Sequence, residues 1–390
     1  MKAKRVFLLV MDSFGIGELP DAANFGDHDC NTLRSVVSSK KFIAPNLKKL
    51  GLFNITGVDC GEKAGSPAGA FGKMTERSLG KDTTTGHWEI AGLTSYQAMP
   101  TFPDGFPDDL IATMEKAFGR KTLCNKPYSG TQVIHDYGEE QLKTGALITY
   151  TSADSVYQIA AHEKIIPVEK LYEYCRQARK LLVGKWGVGR VIARPYIGDY
   201  PNFERTPRRH DFSLLPPKST LLDILSQAGL DVLGVGKISD IFAARGITRS
   251  VTIEDNTDGM NKTMAFQKED FTGLCFVNLV DFDMQYGHRR DVDGYAEAVS
   301  TFDDQLTEFM ANMRPDDVLM ITADHGCDPE APGSDHTREY TPLLIYGQPI
   351  KAGIDLGIRD SFADIAATIA ENFEVEGAID GKSFWADIFK

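Results

Sequence analysis

The chain is short of the features that define several large protein classes. It has six cysteines in 390 residues (Cys30, Cys60, Cys124, Cys175, Cys275 and Cys327), scattered and with no CxxC pair. That pattern excludes a small disulfide scaffold and points to free thiols in a cytoplasmic, reducing setting. No stretch approaches the roughly 18 consecutive apolar residues of a membrane span. The basic start leads into a brief apolar run, Val6–Met11, which meets Asp12 without a small-residue cleavage site. It reads as a strand and not as a signal peptide. Positive charge is also lacking: 42 Lys and Arg stand against 55 Asp and Glu, a net charge of −13. Nucleic acid and anionic membranes are therefore poor partners. An anionic small molecule is not, because a local Arg cluster or a metal can reverse the field. Histidine is scarce too, at eight residues, so its clustering carries information.

What remains is ordinary for a globular protein: 42% apolar and 25% charged residues, at a length suited to about two or three domains. Two of the eight histidines fall in one stretch, Ile321–Pro342. It begins as a continuous apolar run, Val318–Ile321, of the kind buried on both faces of a parallel sheet. It stops on Asp324-His325-Gly326, and His336 follows after a loop with Pro332 and Gly333. Ligands of open α/β sheets bind beyond such strand ends. The same grammar recurs twice. Val6–Met11 ends at Asp12-Ser13, and Cys275–Val280 ends at Asp281-Phe282-Asp283, with His288 beyond a turn at Gly287.

Asp12, Asp283, Asp324, His288, His325 and His336 make six N/O donors. That is too many for one tetrahedral ion and suits two. Mixed Asp/His ligation permits Zn²⁺ or Mn²⁺, whereas carboxylates alone would favour Mg²⁺. A two-metal site clamps a phosphoryl group and activates a nucleophile. The run Asp82-Thr83-Thr84-Thr85-Gly86-His87 reads as a helix start, where a threonine hydroxyl can cap free N–H groups and anions are welcome. Beside two metals, Thr83 is the natural hydroxyl to take a phosphoryl group.

Proline crowding near Pro100, Pro103 and Pro107, and again near Pro207, Pro216 and Pro217, divides the chain. We expect domain boundaries there, setting off a block, 99–217, between the flanking parts 1–98 and 218–390. The block holds strands at Leu147–Thr151 and Val188–Ala193, a helix at Val168–Leu182, and a basic tract from Arg194 through Arg205 to Arg208-Arg209-His210-Asp211. That tract is either a solvated face or a phosphate-capturing set of Arg forks. In the flanking parts the expectations are a short helix at Pro45–Leu50, a loop over Gly61–Gly72, a helix capped by Ser219, a long amphipathic helix over Tyr295–Met313, and a last helix opened by Ser361 with Asp364 in a capping-box place.

The segments MDSFGIGELPDA, GKDTTTGHWEIAG, NKPYSGT, TSADSVYQIAAHE, GRVIARPYIG, RTPRRHDF, GKISDIF, NLVDFDMQYGHRRD and TADHGCDP…GSDHTREYTPLL together resemble the bacterial phosphopentomutases. Those belong to the alkaline-phosphatase-like metalloenzymes, and the likeness spans nearly the whole chain. It implies an α/β core of mainly parallel sheet with helices on both faces, made of 1–98 and 218–390, plus a smaller inserted α/β cap, 99–217. It implies two Mn²⁺ ions, one on Asp12, Asp324 and His325 and the other on Asp283, His288 and His336, with Thr83 between them as the phosphorylated residue. It also implies Asp154 on ribose hydroxyls and Arg190, Arg205 and Lys237 on the phosphate not being transferred. The implied reaction interconverts ribose 1-phosphate and ribose 5-phosphate, and their 2-deoxy forms, primed by glucose 1,6-bisphosphate or ribose 1,5-bisphosphate. Related phosphoglycerate mutases use a serine and a different cap, which GKDTTTGH and RTPRRHD do not match. One departure is Cys327, at a position that resemblance assigns to Asn; a soft thiolate there favours soft ions.

Overall fold

The structure is a computed structural model and describes residues 2–152 and 154–390. Ala153, in the Thr151–Ser155 stretch, lies outside the described residues. Among those described, fourteen strands form two sheets. They are β1 (Arg5–Met11), β2 (Ala70–Met74), β3 (Thr122–Pro127), β4 (Leu147–Thr151), β5 (Val156–His162), β6 (Arg190–Asp199), β7 (Asn202–Arg205), β8 (His210–Ser213), β9 (Asp231–Val235), β10 (Arg249–Val251), β11 (Gly273–Leu279), β12 (Asp317–Thr322), β13 (Thr341–Tyr346) and β14 (Asp355–Arg359). The chain divides into two compact units, one made of Met1–Gln97 and Pro216–Lys390, the other of Ala98–Leu215.

The first unit is built on eight strands in the order β10-β9-β11-β1-β12-β13-β2-β14. Only β13 runs against its neighbours. Strands β1, β11 and β12 are buried at every residue, which is why their sequences are continuous apolar runs rather than alternating ones. One face packs Phe7, Leu9, Cys275, Val277, Leu319 and Ile321 against Tyr295, Val299, Phe302, Leu306 and Phe309 of the helix Val292–Ala311. That helix starts before the expected Tyr295 because the Asp291 side chain accepts the Gly294 N–H. At the near end of β1, Arg5 is fully buried. It donates two hydrogen bonds to Asp317 and one each to the carbonyls of Gln267 and Glu269.

Some local expectations change. The helix Leu221–Gln227 is capped by Thr220, not Ser219, because Thr220 and Asp223 close a reciprocal capping box. At the helix Ala363–Phe373, Asp364 forms no capping box; it accepts from Lys382 N and Arg359 Nε, while Ser361 Oγ accepts the Ala363 N–H. The Gly61–Gly72 loop runs into β2, whose Gly72 and Lys73 conceal it.

The second unit is a five-strand run β3-β4-β5-β6-β7, with β8 also paired to β6. Helices Asp108–Phe118 and Val168–Leu181 cover one face through Leu110, Met114, Leu171 and Cys175. Helix Gln132–Thr144 covers part of the other through Val133 and Ile134, against Ile148, Tyr150, Ala160 and Tyr196. No helix among the described residues is long and apolar enough to cross a membrane.

Candidate metal centre

Because β1 lies between β11 and β12 and all three run parallel, their carboxyl ends sit side by side. Asp12 directly follows β1, Asp324 lies just past β12, and Asp283 sits in a π-helical turn, Phe282–Gly287, after β11. Such turns are rare and concentrate at functional sites. Asp281, one step nearer its strand, is turned away and pairs with Asn256 instead. Backbone strain accompanies the cluster: Ser13 has φ 73° and donates its N–H to Asp324 Oδ1 at 3.1 Å.

The donor atoms converge. His325 Nε2 is 3.4 Å from Asp12 Oδ1 and 3.4 Å from Asp324 Oδ2. Asp283 faces His336 Nε2 at 3.4 Å and His288 Nε2 at 3.4 Å, one through each oxygen. The rings of His325 and His336 lie 4.1 Å apart, and those of His336 and His288 4.7 Å. Three groups of donors lie close enough to share an ion: Asp12/Asp324/His325, Asp283/His325/His336 and Asp283/His288/Cys327. The six residues singled out by strand ends therefore come together, with His325 and Asp283 each belonging to two groups.

Two tests show that the donor set suits cations. Asp12 Oδ1, Asp283 Oδ1, Asp324 Oδ2 and His336 Nε2 are buried and find no hydrogen-bond partner among the described residues. Native buried polar groups are nearly always partnered, so four orphans facing one space indicate a ligand. The electrostatics agree. Burial, then the Asp324 and Asp283 carboxylates, pushes Asp12 up to about 7. Burial opposes charge on His325, yet Asp324, Asp12 and Asp283 outweigh it and raise the imidazole to about 9. His288 rises to about 12 through its bonds to Asp283 and Cys327. Burial also works against charge on Asp283, but His336 and His288 hold its carboxyl well below the usual range. Carboxylates this crowded require nearby positive charge.

Thr83 opens the helix Thr83–Ile90 with its Oγ1 3.3 Å from His325 Nε2. The cap of that helix is not a threonine: Asp82 accepts from Thr84 N and Thr85 N, and Thr85 Oγ1 donates to Asp82 at 2.6 Å. The expected caps are thus the capped residues, and two of the helix-start N–H groups are already taken by a carboxylate. Gly86 lets the helix touch the sheet, since a Cβ there would sit 2.2 Å from the Asp324 carbonyl oxygen.

Two residues of this centre escaped sequence reasoning. His87 Nδ1 donates to the Thr83 carbonyl at 2.8 Å and lies 3.0 Å from Asp324 Oδ2. Asn278 Nδ2 donates to Asp12 Oδ2 at 2.7 Å and to His87 Nε2 at 3.3 Å. The chain Thr83–His87–Asn278–Asp12 thus fixes the helix relative to the strand ends. Its one sequence signal is the i, i+4 spacing of Thr83 and His87, which puts both on one helical face. Cys327 is buried, with Sγ 4.0 Å from His288 Nδ1 and 3.7 Å from the Asp335 carbonyl. Burial raises this thiol to about 11, against the opposing pull of its bond to His288. At the rim Lys81 spans Asp27 (3.0 Å) and Asp335 (3.3 Å). Lys237 stands at the start of the short helix after β9, where its charge bears on Asp281.

The second unit carries the other expected residues. Arg190, at the start of β6, is 3.3 Å from Asp154 and 3.7 Å from Asp211. Arg205 closes β7 and is exposed.

Comparison with known proteins decides the family. Residues 4–377 match the Metalloenzyme superfamily. The phosphopentomutase of Lachnoclostridium phytofermentans is 56% identical over 388 residues, covering 99% of this chain and 100% of that one. The chain belongs to the phosphopentomutase family. The phosphopentomutase of Carboxydothermus hydrogenoformans is likewise 56% identical, over 99% of this chain and 100% of its own; that of Acetivibrio thermocellus is 53% identical over the same shares. Among solved structures, a Leishmania mexicana phosphoglycerate mutase aligns over 98% of this chain and 97% of its own, with a TM-score of 0.51 and 14% identity. At that identity the likeness speaks for the fold alone, an α/β fold of mostly parallel sheet. This phosphopentomutase-family chain therefore combines a metalloenzyme fold with candidate metal-holding clusters.

Proposed function

We propose that the chain is a phosphopentomutase that interconverts ribose 1-phosphate and ribose 5-phosphate, and the 2-deoxyribose equivalents, through a phosphorylated Thr83. The observation that carries this is Thr83 Oγ1 beside His325 Nε2, among the orphaned oxygens of Asp12, Asp283 and Asp324. In this reading Asp12, Asp324 and His325 hold one Mn²⁺, and Asp283, His288 and His336 hold the other. Bound there, such ions lower the pKa of a nearby hydroxyl and stabilise charge on phosphoryl oxygens.

The protein's own groups do the rest. His87 and Asp82 keep Thr83 at the helix start facing the strand ends. Phosphothreonine 83 passes its phosphoryl group to the free sugar hydroxyl: the bond to Thr83 Oγ1 breaks as the bond to the sugar oxygen forms, giving a sugar bisphosphate. The other phosphate then returns to Thr83, and the isomeric monophosphate leaves. Asp154 orients ribose hydroxyls, while Arg190, Arg205 and Lys237 anchor the phosphate that is not moving. Glucose 1,6-bisphosphate or ribose 1,5-bisphosphate primes Thr83.

Enzyme given Mn²⁺ and glucose 1,6-bisphosphate should gain one phosphate, located on Thr83 by peptide mass spectrometry. Thr83→Ala should lose pentose phosphate interconversion yet still bind Mn²⁺. Chelation should abolish turnover and Mn²⁺ restore it. Phosphate on Thr84 or Thr85, or an active Thr83→Ala enzyme, would remove Thr83 from the mechanism.

A further inference from the structure

The sheet of the second unit presents a basic face whose charges are not evenly matched. Register puts Tyr150 opposite Gln158, Gln158 opposite Ile192, and Tyr196 opposite Arg205. Side chains alternate along a strand, so Tyr150, Gln158, Arg190, Ile192, Arg194 and Arg205 share one face. Arg194 and Arg205 are diagonal neighbours on adjacent strands, within reach of one another's long side chains.

On this face Arg190 is offset by Asp154 and Asp211, and Arg209 by Asp211. Arg194 and Arg205 are different. Among the described residues neither has an ion-pair partner; Arg194 donates its Nε to the neutral Gln158 Oε1 at 3.0 Å, leaving the rest of its guanidinium fork uncommitted. Arg194 is also half-buried, and burial, with Arg209 and Arg205 close by, draws its pKa below the usual arginine range. Two cations without a direct ion pair, Asp211 acting on Arg194 only from a distance, suit the charge of a phosphate monoester, about −1.5 to −2 near pH 7.

A third group points to the same place. Tyr150 is 1% exposed, and its hydroxyl finds no partner among the described residues. Tyr196, on the same sheet face two strands away, donates to Gln141 at 2.9 Å, so the orphan is not imposed by the sheet. Gly130 packs closely against the Tyr150 hydroxyl: a Cβ there would lie 2.9 Å from that oxygen and 3.3 Å from Arg205 Nη1. Both Arg194 and Arg205 are near enough to act on this buried phenol.

We propose that Arg194 and Arg205 form a two-guanidinium clamp for the phosphate monoester dianion of the substrate, with the Tyr150 hydroxyl as a third, buried donor. This rests on the reading of Arg205 as a phosphate anchor and adds Arg194 and Tyr150 to it. The clamp selects for double charge: a sugar without its phosphate leaves two cations and a phenol unsatisfied.

The test compares Arg194→Gln, Tyr150→Phe and Arg205→Gln in the full-length, Mn²⁺-loaded enzyme. Arg194→Gln should raise KM for ribose 5-phosphate about ten- to a hundredfold, as expected for loss of a charge-assisted contact. KM should rise more than kcat falls. The same variant should weaken competitive inhibition by inorganic phosphate by a similar factor. Tyr150→Phe should raise KM about three- to tenfold without lowering the thermal midpoint, because it deletes an unpartnered oxygen. If Arg205→Gln weakens substrate binding but Arg194→Gln and Tyr150→Phe leave KM and inhibition at wild-type values, the clamp is overturned and the Arg205 anchor survives. If Arg205→Gln is also without effect, the anchor reading falls with it.

Discussion

Gly86 shows how little room the centre leaves. Here the backbone of the Thr83–Ile90 helix meets the segment just past β12, and a methyl group would overlap a backbone carbonyl that cannot move aside cheaply. Gly86→Ala should therefore destabilise the protein by about 1–3 kcal/mol, the usual penalty of overpacking, despite the better helix propensity of alanine. Denaturant unfolding checks this; a more stable variant would mean that the helix is not held against Asp324. At this scale the six strand-end and loop donors were legible because Asp and His are conspicuous after apolar runs. Asp82, His87 and Asn278 were not. An Asp before three Thr competes with them for the cap, and only the backbone shows that its carboxylate reaches Thr84 N and Thr85 N. Asn278 is hidden inside an apolar strand, where a lone amide carries no signal until its neighbours across β1 and the Thr83–Ile90 helix are known.

At the scale of elements, burial on both faces made β1, β11 and β12 readable. The edges were harder. Strand β14, DLGIR, and β3, TLCNKP, are only partly buried and have neither a continuous apolar run nor clean alternation. What holds the readable strands in register at their near end is the Arg5–Asp317 pair, fully buried with two bonds at 2.7 Å. Removing one partner leaves an uncompensated charge, so Arg5→Met should cost about 3–5 kcal/mol. Adding Asp317→Leu should recover part of that, but not all, because the carbonyls of Gln267 and Glu269 would still lack the Arg5 donors. A double-mutant cycle in urea measures both numbers; full additivity would show that the pair does not act as a unit.

At the scale of the whole molecule, the two units draw on the chain differently. Ala98–Leu215 is one continuous segment with its own apolar clusters, whereas the other unit is assembled from both ends. Proline crowding marks where the texture changes, because the connecting segments carry fewer periodic elements than either unit. The pairing of β1 with β11 and β12 joins residues as far apart as Arg5 and Asp317, 312 positions along the chain.

That distance imposes a waiting time during synthesis. At about 5–20 residues per second, the first strand leaves the ribosome roughly 15–60 s before its second neighbour exists. Until β11 is made, which takes most of that interval, one of the most apolar segments of the protein has no adjoining strand to join, while the continuous unit can already be complete. Ribosome-bound chains arrested near residue 260 should therefore yield a protease-resistant fragment spanning 98–215 and a labile amino-terminal segment; resistance of both would mean that the early segment finds shelter by itself. Newborn chains of this architecture depend on something else to guard an orphaned central strand, and slower translation lengthens the hazard instead of relieving it.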